Sequence, residues 1–195
     1  MASSDPAYIT NLKLFTRGAL NSPKDLEAFE SELYGENDRA TAVLFGSLME
    51  RSLEELLRTT MRTEGSAAIF GSDGILGSFS SKIAMAYSLK QIGPVCRHDL
   101  NIIRQLRNEF AHSKKHLSFQ TPVVKPVIEA LQILRRKSEP DAPAAILLFD
   151  GDSYKVVQAK AGVKERFMVT CHNILHRMLA ARDKLAIPFR GEPLP

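Results

Sequence analysis

Cysteine is scarce in this chain. It occurs twice, at Cys96 and Cys171, too far apart to match any paired metal-ligand spacing. No Cys-His-Asn signature of a thiol hydrolase surrounds either residue, so both read as small core residues with reduced thiols. Long apolar runs are missing too. The longest, Ala144-Ala145-Ile146-Leu147-Leu148-Phe149, falls far short of the roughly eighteen residues that a membrane span needs. The opening stretch MASSDPAYITNLKLF has no apolar core of a secretory leader. We expect from these absences a soluble, cytoplasmic chain with no membrane partner. Internal repeats and low-complexity tracts are likewise absent.

Several catalytic signatures are missing as well. The glycine-rich run Gly71 to Gly77 lacks the Gly-Lys-Ser/Thr ending of a phosphate-binding loop and follows no buried strand. Its glycines are expected to supply positive φ and let Ile75 and Leu76 tuck under the fold, with Asp73 as a turn residue. His172 and His176 lie four apart, the interval of two metal ligands on one helix face. No Glu follows His172 as in H-E-x-x-H and no third ligand is evident, so a solvated or packed pair is expected. No metal and no cofactor are implied.

What is present suits one compact domain. A chain of 195 residues with 44% hydrophobic content can bury a core without staples. Charge is segregated along it. From Pro23 to Glu55 nine acids face three bases, a net of −6, whereas from Arg97 to Lys137 nine bases face three acids, a net of +6. Two readings stand: the runs are solvated helix faces that pair across the fold, or the basic one is a nucleic-acid footprint.

Periodicity divides the chain into an arm over 1–22, a single helical domain over 23–187 and a tail over 188–195. Ser22-Pro23 starts a short helix that Gly35 stops. Asp38 caps a long helix in which Phe45, Leu48, Met49, Leu53, Leu56 and Leu57 recur at three-and-four spacing. Further helices are expected over Ser80 to Gln91, Val95 to His112, Pro126 to Lys137 and Val163 to Ala186. Ala145 to Phe149 and Tyr154 to Val157 are β-prone and suit a hairpin on the Asp150-Gly151-Asp152 turn. The fold class is therefore all-α, a bundle of five or six helices with a small β-hairpin before the last.

In the fourth of these six helices, Ile103, Leu106 and Phe110 share a sector with Asp99, and the opposite sector carries Asn101, Arg104, Gln105, Asn108 and His112. The helix ends in Arg107-Asn108-Glu109-Phe110-Ala111-His112, and this R-N-x-x-x-H string resembles the signature of the HEPN superfamily. The resemblance implies a HEPN-like bundle with a metal-independent ribonuclease site assembled across a homodimer. Arg107 would bind and polarise the scissile phosphate, Asn108 would orient Arg107, and His112 would move a proton as the 2′-hydroxyl attacks. Arg104, Lys114, Lys115 and His116 would grip the phosphate backbone.

Residues five apart on a helix point about 140° away from each other, so Arg107 and His112 cannot share a face. Either the helix ends near Ala111 and frees His112, or a two-fold axis brings two chains together. On the structural alternative, Arg107 pairs with Glu50 or Glu54 and His112 caps its helix.

The tract Phe70-Gly71-Ser72-Asp73-Gly74-Ile75-Leu76-Gly77-Ser78-Phe79-Ser80-Ser81-Lys82-Ile83, followed by Tyr87, Leu89 and the same motif, resembles the mannitol operon repressor (MtlR-like) family over about residues 40 to 135. Members of that family look like HEPN relatives without a recognisable DNA-reading module. No helix-turn-helix candidate is found here either. The two resemblances imply a regulator of gene expression that binds protein or nucleic acid, or a toxin-like RNA endonuclease, with an RNA or a regulatory protein as partner.

Overall fold

The computed structural model describes residues 37–61, 66–134, 145–149, 154–158 and 162–185. Among these are six helices: α1 (Asp38–Thr60), α2 (Ser66–Phe70), α3 (Phe79–Ser88), α4 (Pro94–His112), α5 (Lys125–Glu129) and α6 (Val163–Leu185). One antiparallel pair, β1 (Ala145–Phe149) and β2 (Tyr154–Gln158), runs in register from Ala145↔Gln158 to Phe149↔Tyr154. The chain is a mostly helical bundle, as its periodicity predicts. The arm, the first short helix, the Asp-Gly turn and the tail lie outside the described residues.

Helix α1 starts one residue earlier than its cap was assigned from sequence. Asn37, not Asp38, is the N-cap, its side-chain oxygen accepting the Ala40 N–H at 2.9 Å. Asp38 is released for a long-range task, accepting the Phe119 N–H at 2.8 Å. The stripe Ala42, Phe45, Met49, Leu53, Leu56 and Leu57 is completely buried. It packs with Leu100, Ile103 and Phe110 of α4 and with Phe167, Ile174 and Leu175 of α6 in one core.

An aromatic series pins these helices. The Phe45 and Phe167 rings meet edge-on at 6.1 Å, Phe167 lies 5.1 Å from Phe119, and Phe119 lies 5.2 Å from Phe110. Phe119 belongs to the connection after α4, so the polar segment that leaves that helix is anchored by an aromatic plug.

Three local expectations change. The glycine-rich segment is preceded by the short helix α2. Of its two apolar residues only Leu76 is buried, while Ile75 is 75% exposed at the loop tip. Gly74 and Gly77 are needed for space rather than handedness, because a Cβ on Gly74 would collide with the Ile69 carbonyl and one on Gly77 with that of Gly71. Helix α3 stops at Ser88, where Lys90 takes the left-handed conformation (φ 56°), rather than running to Gln91.

The third change is in α5, which ends at Glu129 instead of continuing toward Lys137. Its exit is claimed by Asp99, a fully buried carboxylate on α4. Asp99 accepts the Gln132 N–H at 2.9 Å and the Ile133 N–H at 2.8 Å, and its Oδ1 lies 2.9 Å from His98 Nδ1. Asp99 shares the core-facing sector of α4 because it turns this neighbouring backbone.

Candidate functional site

The basic residues of the motif occupy the last turns of α4, where that helix crosses α1. The crossing is close because α1 presents a glycine: a Cβ on Gly46 would lie 2.5 Å from Arg107 Cβ and 2.6 Å from its Cγ. The Arg107 stem therefore lies flat on α1 and delivers the guanidinium one turn further along, at Glu50. There Nη2 donates to Glu50 Oε2 at 3.3 Å, and Nη1 donates to Asn108 Oδ1 at 3.3 Å. The Arg107 side chain remains 30% exposed.

Glu50 belongs to a wider charge cluster. Lys82 of α3, its side chain 6% exposed, reaches Glu50 Oε1 at 3.1 Å and Glu54 Oε2 at 3.0 Å. Arg58 closes on Glu54 Oε1 at 2.7 Å through Nη2 and 3.0 Å through Nε, and its guanidinium also sits 4.3 Å above the Phe70 ring. Burial works to raise the Glu54 pKa, but the hydrogen bonds and charges of Arg58 and Lys82 outweigh it and hold the carboxyl below its usual value.

Three residues of this arrangement escaped the sequence reading. Lys82 sits in the same stripe as the buried Phe79, Ile83 and Ala86, and a cation at a core-facing position signals a buried acid. Gly46 lies in the buried stripe of α1, where a missing side chain signals close backbone approach. Arg39, on the solvent side of α1, had no such signal. It donates to the Ser113 carbonyl at 3.0 Å and to that of Lys115 at 3.3 Å.

Helix α4 keeps His112 as its last residue, and the Ser113 N–H bonds to the Glu109 carbonyl at 2.9 Å. The helix thus ends one residue beyond Ala111. Among the described residues no hydrogen bond or ion pair joins His112 to Arg107; the imidazole is exposed to solvent. Lys114, Lys115 and His116 are exposed on the following turn, whose backbone Arg39 braces. A cavity of about 550 Å³ opens beside it, lined by Asn37, Asp38, Arg39, His116, Leu117 and Ser118.

Arg104 departs from a fully outward placement. It is half-buried, and its Nε has no hydrogen-bond partner among the described residues. The chain thus gathers Arg107 and Asn108 at the α1 crossing and Lys114, Lys115 and His116 at the helix exit.

Cys96 and Cys171 are both buried. Burial, reinforced by the charge of Asp99, pushes the Cys96 thiol up to about 12, so it stays protonated and is no nucleophile. His172 and His176 stack with ring centroids 6.3 Å apart on α6. Among the described residues no group of three or more His, Cys, Asp or Glu is arranged to hold a metal ion, and no helix is long and apolar enough to cross a membrane. Compared with known proteins, the chain matches no family model, no curated protein and no solved structure.

Proposed function

We propose that this chain is a cytoplasmic MtlR-like regulator of gene expression that acts by binding, using the end of α4 as a grip on nucleic-acid phosphate. The observation that carries this reading is the contrast at the motif. Arg107 is folded back onto Glu50, while Lys114, Lys115 and His116 stand in solvent on a turn held by Arg39. Exposed cations on a fixed backbone contribute sequence-independent, salt-sensitive affinity, and a sequence that offers no helix-turn-helix candidate suits a partner read by its backbone. A homodimer would present two such turns.

A second reading has one observation in its favour. Asn108 accepts a hydrogen bond from the Arg107 guanidinium at 3.3 Å, which suits the orienting role that the HEPN resemblance implies, and Arg107 keeps part of its surface open. Such an enzyme would draw its acid-base pair from two chains, with Arg107 of one protomer and His112 of its partner flanking an RNA phosphate.

One experiment separates the readings. Wild type, Arg107→Ala/His112→Ala and Lys114→Gln/Lys115→Gln are incubated with labelled single-stranded RNA in EDTA, following both anisotropy and 2′,3′-cyclic phosphate ends. Binding that weakens in the lysine variant, without cleavage by any protein, supports the regulator. Cleavage by wild type that the Arg107/His112 variant loses replaces it with the ribonuclease, and neither binding nor cleavage removes both.

A further inference from the structure

The contact between Arg107 and Glu50 differs from the rest of its cluster in a way that bears on how the α4 end would take a ligand. Arg58 binds Glu54 at 2.7 Å and Lys82 binds both carboxylates at 3.0 to 3.1 Å, whereas Arg107 reaches Glu50 by a single 3.3 Å contact. It is the longest of the four contacts, and it is not the two-point fork that makes an arginine–carboxylate pair strong. Without Arg107, each carboxylate still has a cation: Glu50 keeps Lys82, and Glu54 keeps Lys82 and Arg58. Arg107 can thus leave without stranding a buried charge; Arg58 could as well, but it holds Glu54 by two shorter contacts of 2.7 and 3.0 Å, whereas Arg107 has one long contact and a side chain that is 30% exposed, against 6% for Lys82.

We propose that Glu50 is a built-in competitor for the Arg107 guanidinium. A phosphodiester oxygen of a bound nucleic acid takes Arg107 from Glu50, while Lys82 keeps the released carboxylate neutralised. The Gly46 crossing fixes the Arg107 stem, so the exchange needs only the outer bonds of the side chain to turn. Glu50 then lowers affinity by the strength of the pair that must be broken, which biases the surface against weak, non-specific anions. This rests on the reading that the end of α4 binds nucleic-acid phosphate.

The test measures anisotropy of labelled single-stranded RNA and, separately, of duplex DNA with the full chain. Glu50→Gln removes the competing charge and should tighten binding by about threefold to fivefold, the range of a partly exposed ion pair. The gain should vanish when Arg107→Gln is added. Lys82→Met leaves Glu50 to Arg107 alone and should move affinity the other way, so the proposal stays decidable if Glu50→Gln unfolds. A tighter Glu50→Gln complex with RNA or with DNA identifies the source of the phosphate.

Unchanged or weaker binding by Glu50→Gln overturns the competitor and makes Glu50 a positioning residue. The underlying reading survives that result if Lys114→Gln/Lys115→Gln still weakens wild-type binding. No binding of either nucleic acid by wild type or Glu50→Gln overturns both.

Discussion

The two ends of α4 carry polar groups toward neighbouring segments under opposite conditions. Near its start, Asp99 is fully buried and its oxygens are met by two backbone amides and the His98 ring, at 2.8 to 2.9 Å. Near its end, Arg107 is partly exposed and makes two 3.3 Å contacts. The first arrangement leaves nothing to exchange and acts as a bolt for the α5 exit. The second is long, single-pointed and backed by Lys82, which can take over its partner. A polar group with every bond saturated and no solvent access holds structure; one with slack contacts at a surface is available to a ligand.

Substituting the two residues should separate these roles most clearly. Asp99→Ala strands two amide donors and should lower stability by about 2 to 4 kcal/mol, read as a drop in the urea midpoint. Arg107→Gln should cost less than about 1 kcal/mol in the same measurement, because a partly exposed pair contributes little and Glu50 keeps Lys82. Equal losses would show that the Arg107 contact is structural and erase the distinction.

The crossing that presents Arg107 can be attacked next. Glycine to alanine inside a helix ordinarily stabilises by about 1 kcal/mol. At Gly46 the sign should reverse, since the added Cβ meets the Arg107 stem at 2.5 Å and must push α1 and α4 apart. A loss of about 1 to 3 kcal/mol is expected, with weaker nucleic-acid binding, because the guanidinium loses its platform. A stabilised Gly46→Ala protein would mean that the helices part freely and that the platform is not rigid.

How much of this was written in the sequence depends on the range of the interaction involved. The apolar stripes of α1, α4 and α6 repeat locally, so helix period and core-facing residues were legible, as were the hairpin strands; the pairing of Arg107 with an acid of the long helix was one of two alternatives that the sequence left open. Features set by distant partners were not. The end of α5 is fixed by Asp99, more than thirty positions earlier, and the exit turn of α4 is braced by Arg39, more than seventy positions away. Ile75 has the composition of a core residue, but the tight backbone bonds of its loop, Gly74 N–H to Gly71 and Gly77 N–H to Gly74, leave it at the tip. Lys82 and Gly46 were each legible as an anomaly in a stripe, a cation or an absent side chain where an apolar one is expected, but the residue each one meets belongs to the tertiary fold.

The smallest effect expected is the acid response of the cluster around Glu54. Its carboxyl titrates below the ordinary value of a glutamate. Burial acts against the charged form, but the hydrogen bonds and charges of Arg58 and Lys82 prevail. A carboxyl whose folded pKa is depressed binds protons less readily than in the unfolded chain. Its stabilising contribution is complete above the unfolded value and disappears as pH falls through the folded one. Urea midpoints should therefore fall as the solution is acidified below about pH 4.3, the unfolded value of a glutamate, and Glu54→Gln should flatten part of that limb while leaving the slope near neutral pH alone. Asp99→Ala, followed over the same range, lacks the bolt but keeps this cluster and should retain the Glu54 part of the acid limb. If Glu54→Gln leaves the limb unchanged, the acid sensitivity belongs to other carboxyls and the charge at the Arg107 end of the helix is too well screened to matter for stability.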